Sequence, residues 1–321
     1  MKPYRLPAAT AALVGILLTA AAMVWFWSMT HSPGKAFLVV CPGAAFTAML
    51  LLGSDVLFKL QGWIDKRPNR IFAVPAVLWF IYLVYACGMG IANATASVAM
   101  AVYLSVPFVA LGLRRNAEPL VILWIWIPLE FGFIRQILVT RPPGADLHYA
   151  FAQLLAIDAG IVAFEVWNRT PGIGYRLEWD RHIFSSGLKN FLLFAGIAIP
   201  FGFAIKFIHY SFALSKLYAA APVFAGIFLF TALPEEFLFR GLIQNWIERA
   251  TKKPGLSLVT AAVIFGASHL NNGPPIPNYR YFLMASIAGV FYGRAWRNTG
   301  SLMASSFTHA LVDTCWTVIF R

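Results

Sequence analysis

The sequence predicts an all-α fold, a polytopic integral membrane bundle of about ten to eleven transmembrane helices. Two observations support this class. Of the 321 residues, 60% are hydrophobic and only 12% are charged, whereas soluble domains carry about 25% charged residues. The apolar residues also fall into repeated runs of about 20, the length at which a helix crosses the hydrocarbon core. A soluble core would not bury so many apolar runs, and a single soluble globule is therefore excluded.

Apolar segments cover the chain almost continuously. The first seven are long enough to span a membrane and lie near residues 8–27, 37–58, 71–89, 93–113, 119–139, 149–167 and 188–208. An unusually long helical stretch follows near 218–250, and a last span is predicted near 301–320. Between these two lie two short or discontinuous segments, near 256–270 and 281–293. A proline-rich loop, residues 271–278, separates the short segments, because proline has no backbone N–H with which to continue a helix.

The formal charge of +12 comes from short clusters of Lys and Arg between the apolar segments. These clusters form no continuous stripe, so they do not indicate a nucleic-acid partner. Positive residues near span ends mark the cytoplasmic side of a membrane protein. By this rule the N-terminus is predicted to be cytoplasmic, in a multi-pass protein of the cell (plasma) membrane. The clusters that define this side are Lys2 and Arg5; Lys59, Lys66, Arg67 and Arg70; Arg114 and Arg115; Arg169, Arg176, Arg181 and Lys189; and Arg240, Arg249, Lys252 and Lys253.

The longest polar connection, residues 168–186, suggests a division of the chain. It contains turn-forming Pro and Gly residues and carries mixed charge. We therefore expect an N-terminal multi-span region of unknown role, residues 1–185, and a functional domain, residues 186–321. The sequence contains no internal repeat, which disfavours a transporter built from inverted repeats.

Isolated ionisable residues occur within the predicted N-terminal spans. Such a side chain costs about 2.5 to 3.5 kcal/mol in hydrocarbon on insertion scales, so each one needs an explanation. Glu130 and Arg135 lie in one span, and Asp158 and Glu165 lie in the next. We expect them to form interhelical ion pairs or to reach the interface from span ends. A relay that runs through Glu130, Arg135 and Asp158 to Glu235 would instead indicate a proton-coupled transporter.

A denser set of polar residues occurs in the C-terminal third of the chain. Two adjacent carboxylates, Glu235 and Glu236, interrupt a long apolar stretch. In a helix, Glu236 and Arg240 lie four residues apart on one face and can neutralise each other, whereas Glu235 points about 100° away. Glu235 is therefore predicted to be an unpaired carboxylate, the kind of group that serves as a general acid or base.

Two histidines follow on later segments. His269 ends the apolar run near 256–270, and alone it is more typical of a core residue than of a catalyst. His309 and Asp313 share a face of the last span at a spacing of four, which permits a local hydrogen bond. The helix rise places Glu235, His269 and His309 roughly 22, 20 and 13 Å from the ends of their segments. All three are therefore expected inside the membrane, where they can meet in one cavity.

One carboxylate and two imidazoles suit two kinds of hydrolytic site. In the first, Glu235 and His269 activate water for attack on a peptide carbonyl, and His309, held by Asp313, donates a hydrogen bond to the oxyanion. In the second, Glu235, His269 and His309 bind zinc, with water as the fourth ligand. No HExxH motif or Cys-rich cluster supports the zinc site. The preferred interpretation therefore needs no cofactor, and zinc is the alternative.

The three motifs together resemble the CPBP family of intramembrane proteases. They are Glu235-Glu236-x-x-x-Arg240, Phe265-x-x-x-His269 and His309-x-x-x-Asp313, in this order on apolar segments. That family includes the type II CAAX prenyl endopeptidases, which remove the last three residues of prenylated proteins. It also includes bacterial relatives linked to bacteriocin processing and self-immunity. The resemblance covers roughly residues 186–321.

The resemblance implies a role for each matched residue. Glu235 would activate water with His269 as its partner, and His309 would donate to the oxyanion. Glu236 and Arg240 would support these groups. The family's last motif often has Asn where this chain has Asp313, and an ionised Asp accepts hydrogen bonds but cannot donate them. An Asp at this position would orient and charge His309, whereas an Asn could itself contact the oxyanion.

These observations favour a glutamic-type intramembrane endopeptidase that acts on a membrane-associated protein or peptide, prenylated (CAAX-type) or not. One alternative is a non-catalytic membrane interaction protein or bacteriocin self-immunity protein that retains the motifs as a structural network. A third is a zinc-dependent membrane peptidase. The expected partners are the substrate and the lipid bilayer.

Overall fold

The computed structural model describes residues 4–31, 35–134 and 147–320, and helices dominate all three stretches. The predicted all-α class is confirmed. The described chain forms two compact units. The N-terminal unit comprises residues 5–171, and the C-terminal unit comprises residues 172–320 together with Tyr4.

Seven helices of the described residues build the N-terminal unit. They are α1 (Ala8–Thr30), α2 (Phe37–Leu52), α3 (Val56–Asp65), α4 (Ala73–Gly88), α5 (Ala94–Leu113), α6 (Glu118–Glu130) and α7 (Leu147–Ile161). Short 3₁₀ turns, Pro68–Phe72 and Arg115–Ala117, lead into α4 and α6, and a π-helical turn, Val162–Trp167, extends α7. The axes of α2 and α3 meet at 84°.

The contact between α1 and α2 depends on small residues placed reciprocally. Each of two glycines, Gly15 on α1 and Gly43 on α2, faces a threonine of the other helix. A methyl group at Gly15 would come within 2.9 Å of the Thr47 Cβ, and one at Gly43 would come within 2.9 Å of the Thr19 Cβ. Each threonine hydroxyl donates to a carbonyl of its own helix, at 2.7 Å for Thr19 and 2.8 Å for Thr47. Close backbone approach over small residues is a common way for helices to associate in membranes.

Five helices build the C-terminal unit. They are α8 (Arg181–Ala204), α9 (Leu214–Thr251), α10 (Pro254–Ala267), α11 (Tyr279–Thr299) and α12 (Leu302–Ile319). Two short strands, β1 (Tyr4–Arg5) and β2 (Glu178–Trp179), form a two-stranded sheet. Side-chain caps fix where α8, α11 and α12 begin, because each cap satisfies a backbone N–H that lacks a helical partner. The capping residues are Asp180, Asn278 and Ser301.

Helix α9 is not regular. Its α-helical turn Leu233–Glu236 lies between two π-helical stretches, Phe228–Ala232 and Phe237–Gln244. Proline cannot donate a backbone hydrogen bond, and its ring clashes with the carbonyl four residues earlier. Pro234 therefore widens the preceding turn, where the Leu233 N–H bonds to the Phe228 carbonyl five residues back. The two adjacent carboxylates of the sequence lie directly after this irregularity, and π-helical turns occur frequently at functional sites.

Glycine contacts also set the positions of the helices around these carboxylates. A methyl group at Gly187 of α8 would lie 2.7 Å from the Phe307 ring and 3.1 Å from the Ala304 carbonyl oxygen of α12. The Thr308 hydroxyl donates to the Gly187 carbonyl at 3.1 Å. A methyl group at Gly289 of α11 would lie 3.0 Å from the Ala262 Cα of α10. These contacts hold α8 close to α12 and α10 close to α11.

Length and composition identify fewer spans within the described residues than the sequence predicted. Among the described residues, six helical segments are long and apolar enough to cross a membrane, or seven if the bent pair α2 and α3 is one span. Helices α6 and α10 are short, with 13 and 14 residues. Helices α11 and α12 have 21 and 18 residues, but their polar and charged side chains make them less apolar than the six segments that qualify as spans. The six segments are Ala8–Ser28, Pro68–Gly88, Ala94–Leu113, Ala150–Trp167, Arg181–Ala204 and Leu214–Thr251.

The two segments predicted to be short differ in length in the structure. Helix α10 is short, as expected, but α11 runs for 21 residues without a break and extends past both ends of the predicted segment 281–293. Apolar runs alone underestimated it because Arg294 and Arg297 lie in its last turns. The predicted span 119–139 extends past residue 134 and so lies partly outside the described residues.

Charged side chains of the N-terminal unit do not all pair as expected. Asp158 is 1% exposed, and neither of its carboxylate oxygens has a hydrogen-bond partner within the described parts of the chain. The prediction of an interhelical ion pair is therefore wrong for Asp158. Glu130 accepts a hydrogen bond from the Trp126 indole at 3.2 Å. Arg135 lies outside the described residues.

Candidate active site

The predicted catalytic side chains line one cavity of about 250 Å³ in the C-terminal unit. Glu235 comes from α9, His269 from the turn after α10, and His309 and Asp313 from α12. Residues of α8 and α11 complete the wall. The structure thus brings together the four side chains that the sequence placed on three separate segments.

The two adjacent glutamates have different surroundings. Glu236 is fully buried, and its carboxylate lies 3.0 Å from the Nε atom of Arg240, which is also fully buried. The guanidinium lies over the Phe265 ring at 4.9 Å and the Tyr292 ring at 5.6 Å. The Glu235 side chain is 24% exposed and lines the cavity. One carboxylate is therefore enclosed with a cation, and the other faces open space.

His309 lies between three carboxylates. Its Nδ1 atom is 2.9 Å from the Glu236 Oε1 atom. Its Nε2 atom is 3.3 Å from the Asp313 Oδ2 atom and 4.0 Å from the Glu235 Oε2 atom. The ring stacks on Tyr292, with centroids 4.4 Å apart and planes at 15°. The sequence predicted the contact with Asp313 but not the contact with Glu236, which joins residues 73 positions apart.

The contacts of His309 assign different tasks to its two nitrogens. An ionised carboxylate only accepts hydrogen bonds, so the Nδ1 atom carries a proton when it bonds to Glu236. Glu236 therefore links Arg240 and His309. The Nε2 atom faces the cavity groups Asp313 and Glu235. In the imidazolium form this nitrogen also carries a proton, which it can donate to a carboxylate or to a bound substrate oxygen.

His269 is positioned by local contacts. Helix α10 ends at Ala267, and His269 lies in the turn that follows. Its Nδ1 atom is 2.8 Å from the Phe265 carbonyl oxygen and 3.2 Å from the Ser268 hydroxyl. A carbonyl accepts only, so the Nδ1 atom is the protonated nitrogen and the Nε2 atom of the neutral ring is an acceptor. The ring packs between Phe265 and Tyr281, at centroid distances of 4.7 and 4.8 Å.

Sequence reasoning missed the aromatic residues of the cavity wall. Tyr281 and Tyr292 of α11 both line the cavity, one beside His269 and the other against His309. Trp316 of α12 packs on Tyr281 at 5.3 Å. The spacing of the tyrosines carried a usable signal, because eleven residues correspond to about three helical turns and place both on one face.

No metal centre is apparent in the described parts of the chain, where no three His, Cys, Asp or Glu side chains are arranged to hold an ion. The zinc site with Glu235, His269 and His309 as ligands remains a prediction. Its chemistry fits these donor types, since zinc binds imidazole nitrogens and carboxylate oxygens. The Glu235 Oε2 atom lies 4.0 Å from the His309 Nε2 atom.

The arrangement is suited to hydrolysis in a partly dry cavity. One carboxylate faces the cavity, and two imidazoles with fixed hydrogen-bond partners line the same cavity. Aromatic and aliphatic residues form the remaining wall, which limits access of bulk water. Preorganised polar groups in such surroundings stabilise developing charge more strongly than they would in water.

Comparison with known proteins identifies the region that carries the site. No curated protein and no solved structure matches the chain. Residues 217–315 match a family model described as "Type II CAAX prenyl endopeptidase Rce1-like". This range includes Glu235, His269, His309 and Asp313, and it confirms the resemblance that the three motifs indicated. Residues 217–315 thus resemble, at the level of the family, a CAAX-type intramembrane protease, and the apolar helices indicate an integral membrane protein.

Proposed function

We propose that the protein is a glutamic-type intramembrane endopeptidase that cleaves a peptide bond near the C-terminus of a membrane-associated protein or peptide. The observation that carries this proposal is the contrast between the two adjacent glutamates. Glu236 is enclosed with Arg240, whereas Glu235 faces a cavity that His269, His309 and Asp313 also line. We further propose that the site lies in a plasma membrane protein whose N-terminus is cytoplasmic.

In the proposed reaction Glu235 acts as the general base. Its carboxylate takes a proton from a water molecule, and the water oxygen bonds to the carbonyl carbon of the scissile peptide. The carbonyl π electrons move to the oxygen and form a tetrahedral oxyanion. When this intermediate collapses, the C–N bond breaks and the proton held by Glu235 passes to the leaving nitrogen. The products are a new carboxyl terminus and a released peptide.

His269 is proposed to position the water. Its Nδ1–H is engaged by the Phe265 carbonyl at 2.8 Å, so the Nε2 atom is left to accept a hydrogen bond from water. The packing of the ring between Phe265 and Tyr281 supports this role, because a fixed acceptor orients the water without reorganisation during the reaction.

His309 is proposed to stabilise the oxyanion through its Nε2–H. The Glu236 carboxylate, at 2.9 Å from Nδ1, holds the ring in place and favours the charged form. Asp313 lies 3.3 Å from the same Nε2 atom, so it competes with the oxyanion for one proton. In this scheme Asp313 orients the ring before substrate binds, and the substrate oxygen takes over or shares the proton.

The test is hydrolysis of a peptide by the full chain reconstituted in liposomes. A quenched-fluorescence peptide with a cysteine four residues from its C-terminus, with and without an S-farnesyl group, serves as the probe. We expect Glu235→Ala and His269→Ala each to lower the rate by about 10²- to 10⁴-fold, as loss of acid–base catalysis does. Glu130→Ala, an exposed carboxylate of α6, is the matched control and should keep full activity.

Two other outcomes would assign a different function. Full activity in both variants would show that the proposed base and its partner are wrong. A wild-type chain that binds the peptide without cleaving it would support the non-catalytic interaction or immunity protein. The farnesylated and unmodified probes report whether a prenyl group is required. Comparative membrane proteomics of cells that carry Glu235→Ala would then identify the natural substrate as a protein that is no longer trimmed.

The zinc alternative makes a separate prediction. A His₂Glu zinc enzyme would contain about one zinc ion per chain, and His309→Ala would lose it. Metal analysis of the purified protein, together with activity after chelation, measures both quantities. We expect activity to survive chelation. Loss of activity that added zinc restores would replace the metal-free scheme with the zinc mechanism.

A further inference from the structure

A cleft separate from the catalytic cavity lies where α9 and α11 end and α10 begins. Its volume is about 560 Å³, and none of the described residues lines both it and the catalytic cavity. Glu235 and Lys252, one in each wall, are 17 residues apart, which corresponds to about 25 Å along a helix. We call it the helix-end cleft. The charged residues that define it are Glu248, Arg249, Lys252 and Arg297.

Cations outnumber carboxylates in the helix-end cleft by three to one. Arg249 and Lys252 come from the end of α9, and Arg297 comes from the last turn of α11. Glu248 is the one carboxylate that lines the cleft among the described residues. The chain contains no Asp or Glu from residue 249 to residue 312, so no acidic side chain of α10 or α11 offsets these charges. A concave wall with this excess of positive charge attracts an anion.

The single carboxylate of the helix-end cleft is engaged within the wall. The Glu248 Oε2 atom accepts a hydrogen bond from the Ser257 hydroxyl at 3.1 Å and lies 3.7 Å from the Arg297 Nε atom. These contacts join α9, α10 and α11, and they hold the Arg297 guanidinium beside the cleft. The charge of Glu248 is therefore offset by Arg297, and Arg249 and Lys252 leave the wall with a net positive charge.

Two helices end at the cleft in the left-handed backbone conformation. Helix α11 ends at Gly300, with a φ of 67°, as is usual because glycine adopts this conformation without strain. Helix α9 ends at Lys252, with a φ of 56°, which a side chain of this type rarely adopts. The Lys252 side chain is exposed, and a methyl group at Gly300 would meet no described atom within 4 Å. The chain thus keeps a cation at an open mouth, in a position where glycine would end the helix with less strain.

The position of the cleft at the ends of membrane spans indicates the kind of anion. The span Leu214–Thr251 ends at the cleft. A second span, Arg181–Ala204, begins on the same face, because the His182 Nε2 atom is 3.1 Å from the Asn298 carbonyl oxygen in the last turn of α11. The ends of spans lie at the level of the lipid headgroups, where basic pockets between helices bind the phosphate groups of anionic lipids.

We infer that the helix-end cleft binds the phosphate group of an anionic phospholipid. The guanidiniums of Arg249 and Arg297 match the geometry of phosphate oxygens, and Lys252 adds a point charge at the mouth. A bound headgroup would link the end of α9 to the end of α11. This site is distinct from the proposed catalytic site and does not depend on the proposed peptidase function.

The experiment measures lipid binding to the full-length protein in detergent by native mass spectrometry. The probes are dioleoylphosphatidylglycerol, which is anionic, and dioleoylphosphatidylcholine, which has no net charge. We expect the wild-type chain to bind the anionic lipid about tenfold more tightly. Lys252→Gln should weaken that binding about fivefold and Lys252→Glu about thirtyfold, the usual effect of removing or reversing one charge beside an anionic headgroup. Binding of the neutral lipid should not change.

The matched control removes the same charge one residue further on. Lys253 is exposed and does not line the cleft, so Lys253→Gln should change the affinity for the anionic lipid less than twofold. Equal affinity of the wild-type chain for the two lipids would overturn the inference. The same loss of affinity in Lys253→Gln as in Lys252→Gln would also overturn it, because the cations would then act as a diffuse surface charge that marks one side of the membrane.

Thermal unfolding distinguishes the lipid from a free phosphate ester and checks that the variants fold. The full-length protein is heated with dihexanoylphosphatidylglycerol, dihexanoylphosphatidylcholine or glycerol 1-phosphate. We expect the anionic lipid alone to raise the Tm of the wild-type chain, and to raise it less in Lys252→Glu. Without a ligand the variant should unfold at the wild-type temperature, because the Lys252 side chain is exposed. If glycerol 1-phosphate raised the Tm as much as the anionic lipid, the ligand would be a soluble phosphate ester, and the assignment to a lipid would be wrong.

Discussion

The two units of the molecule bury charged groups in different ways. In the N-terminal unit the buried carboxylates belong to local arrangements. Glu118 accepts hydrogen bonds from the Asn168 amide at 2.7 Å and from the Thr170 hydroxyl at 3.0 Å, which ties the start of α6 to the turn after α7. Asp158 lies in the core without a hydrogen bond from any described residue. Neither Glu118 with its two partners nor Asp158 lines the cavity that contains Glu235.

In the C-terminal unit the buried charges form a connected set. Arg240 pairs with Glu236, Glu236 with His309, and His309 with Asp313. The set begins in the core and ends at the cavity wall. A buried charge that serves only structure needs one good partner, whereas this set fixes an imidazole whose second nitrogen faces open space. The comparison indicates that connection to a cavity, rather than burial of charge alone, distinguishes a candidate site.

The largest expected effect on stability follows from removing Glu236. The variant Glu236→Ala leaves the Arg240 guanidinium buried without its anion and removes the acceptor of the His309 Nδ1–H. Breaking a buried pair in this way costs about 3 to 5 kcal/mol of unfolding free energy. Thermal unfolding of the purified protein in detergent measures the loss, and peptide hydrolysis should fall with it.

A double variant separates the effect of an unpaired buried charge from the effect of the lost contacts to Glu236. In Glu236→Ala combined with Arg240→Met, no uncompensated charge is left in the core, so much of the stability should return while activity stays low. If Glu236→Ala alone unfolds at the wild-type temperature, the buried set does not hold the C-terminal unit together, and the contrast between the units would not hold.

An intermediate effect is expected at Tyr292. Its ring stacks on His309 and lies under the Arg240 guanidinium. Aromatic pairs of this kind contribute about 0.5 to 1.5 kcal/mol beyond their buried area, so Tyr292→Leu should lower kcat/KM roughly two- to tenfold. Tyr292→Phe keeps the ring and should retain most of the activity. If Phe were as damaging as Leu, the hydroxyl rather than the ring would be the important group.

The smallest effect is expected in the N-terminal unit. Asp158→Asn removes a carboxylate that makes no hydrogen bond to a described residue, so it should change the unfolding free energy by less than about 1 kcal/mol or increase it. Peptide hydrolysis should be unchanged. A clear loss of hydrolysis in Asp158→Asn would show that the N-terminal unit contributes a titratable group to the reaction and would favour a relay of the transporter type.

Local spacing predicted some of the site and missed other parts for a physical reason. The pairs Glu236–Arg240 and His309–Asp313 were predictable because helix geometry alone brings residues four apart together. The contact between Glu236 and His309 was not, because it depends on how α9 packs against α12. Close approaches such as that of Gly187 to α12 set this packing, and a single glycine in a sequence does not reveal its neighbour.

The sequence also predicted the bounds of the helices only in part. Apolar runs identified most membrane segments, because burial in lipid requires them. They underestimated α11, where arginines in the last turns reduced a helix of 21 residues to the predicted segment 281–293. The polar residues that make a site functional also weaken the hydropathy signal that would locate it.

The widened turn before Pro234 determines the direction in which everything after it points. One residue of an α-helix corresponds to a rotation of about 100° about the axis. A π-helical turn holds one residue more than an α-helical turn. If Phe228–Ala232 closed to regular α-helix at the same chain length, Glu235 and Glu236 would turn by about 100° relative to the preceding half of α9. Glu235 would then no longer face the cavity. The geometry of the candidate site thus depends on the pitch of one helical turn as much as on the identity of its glutamates.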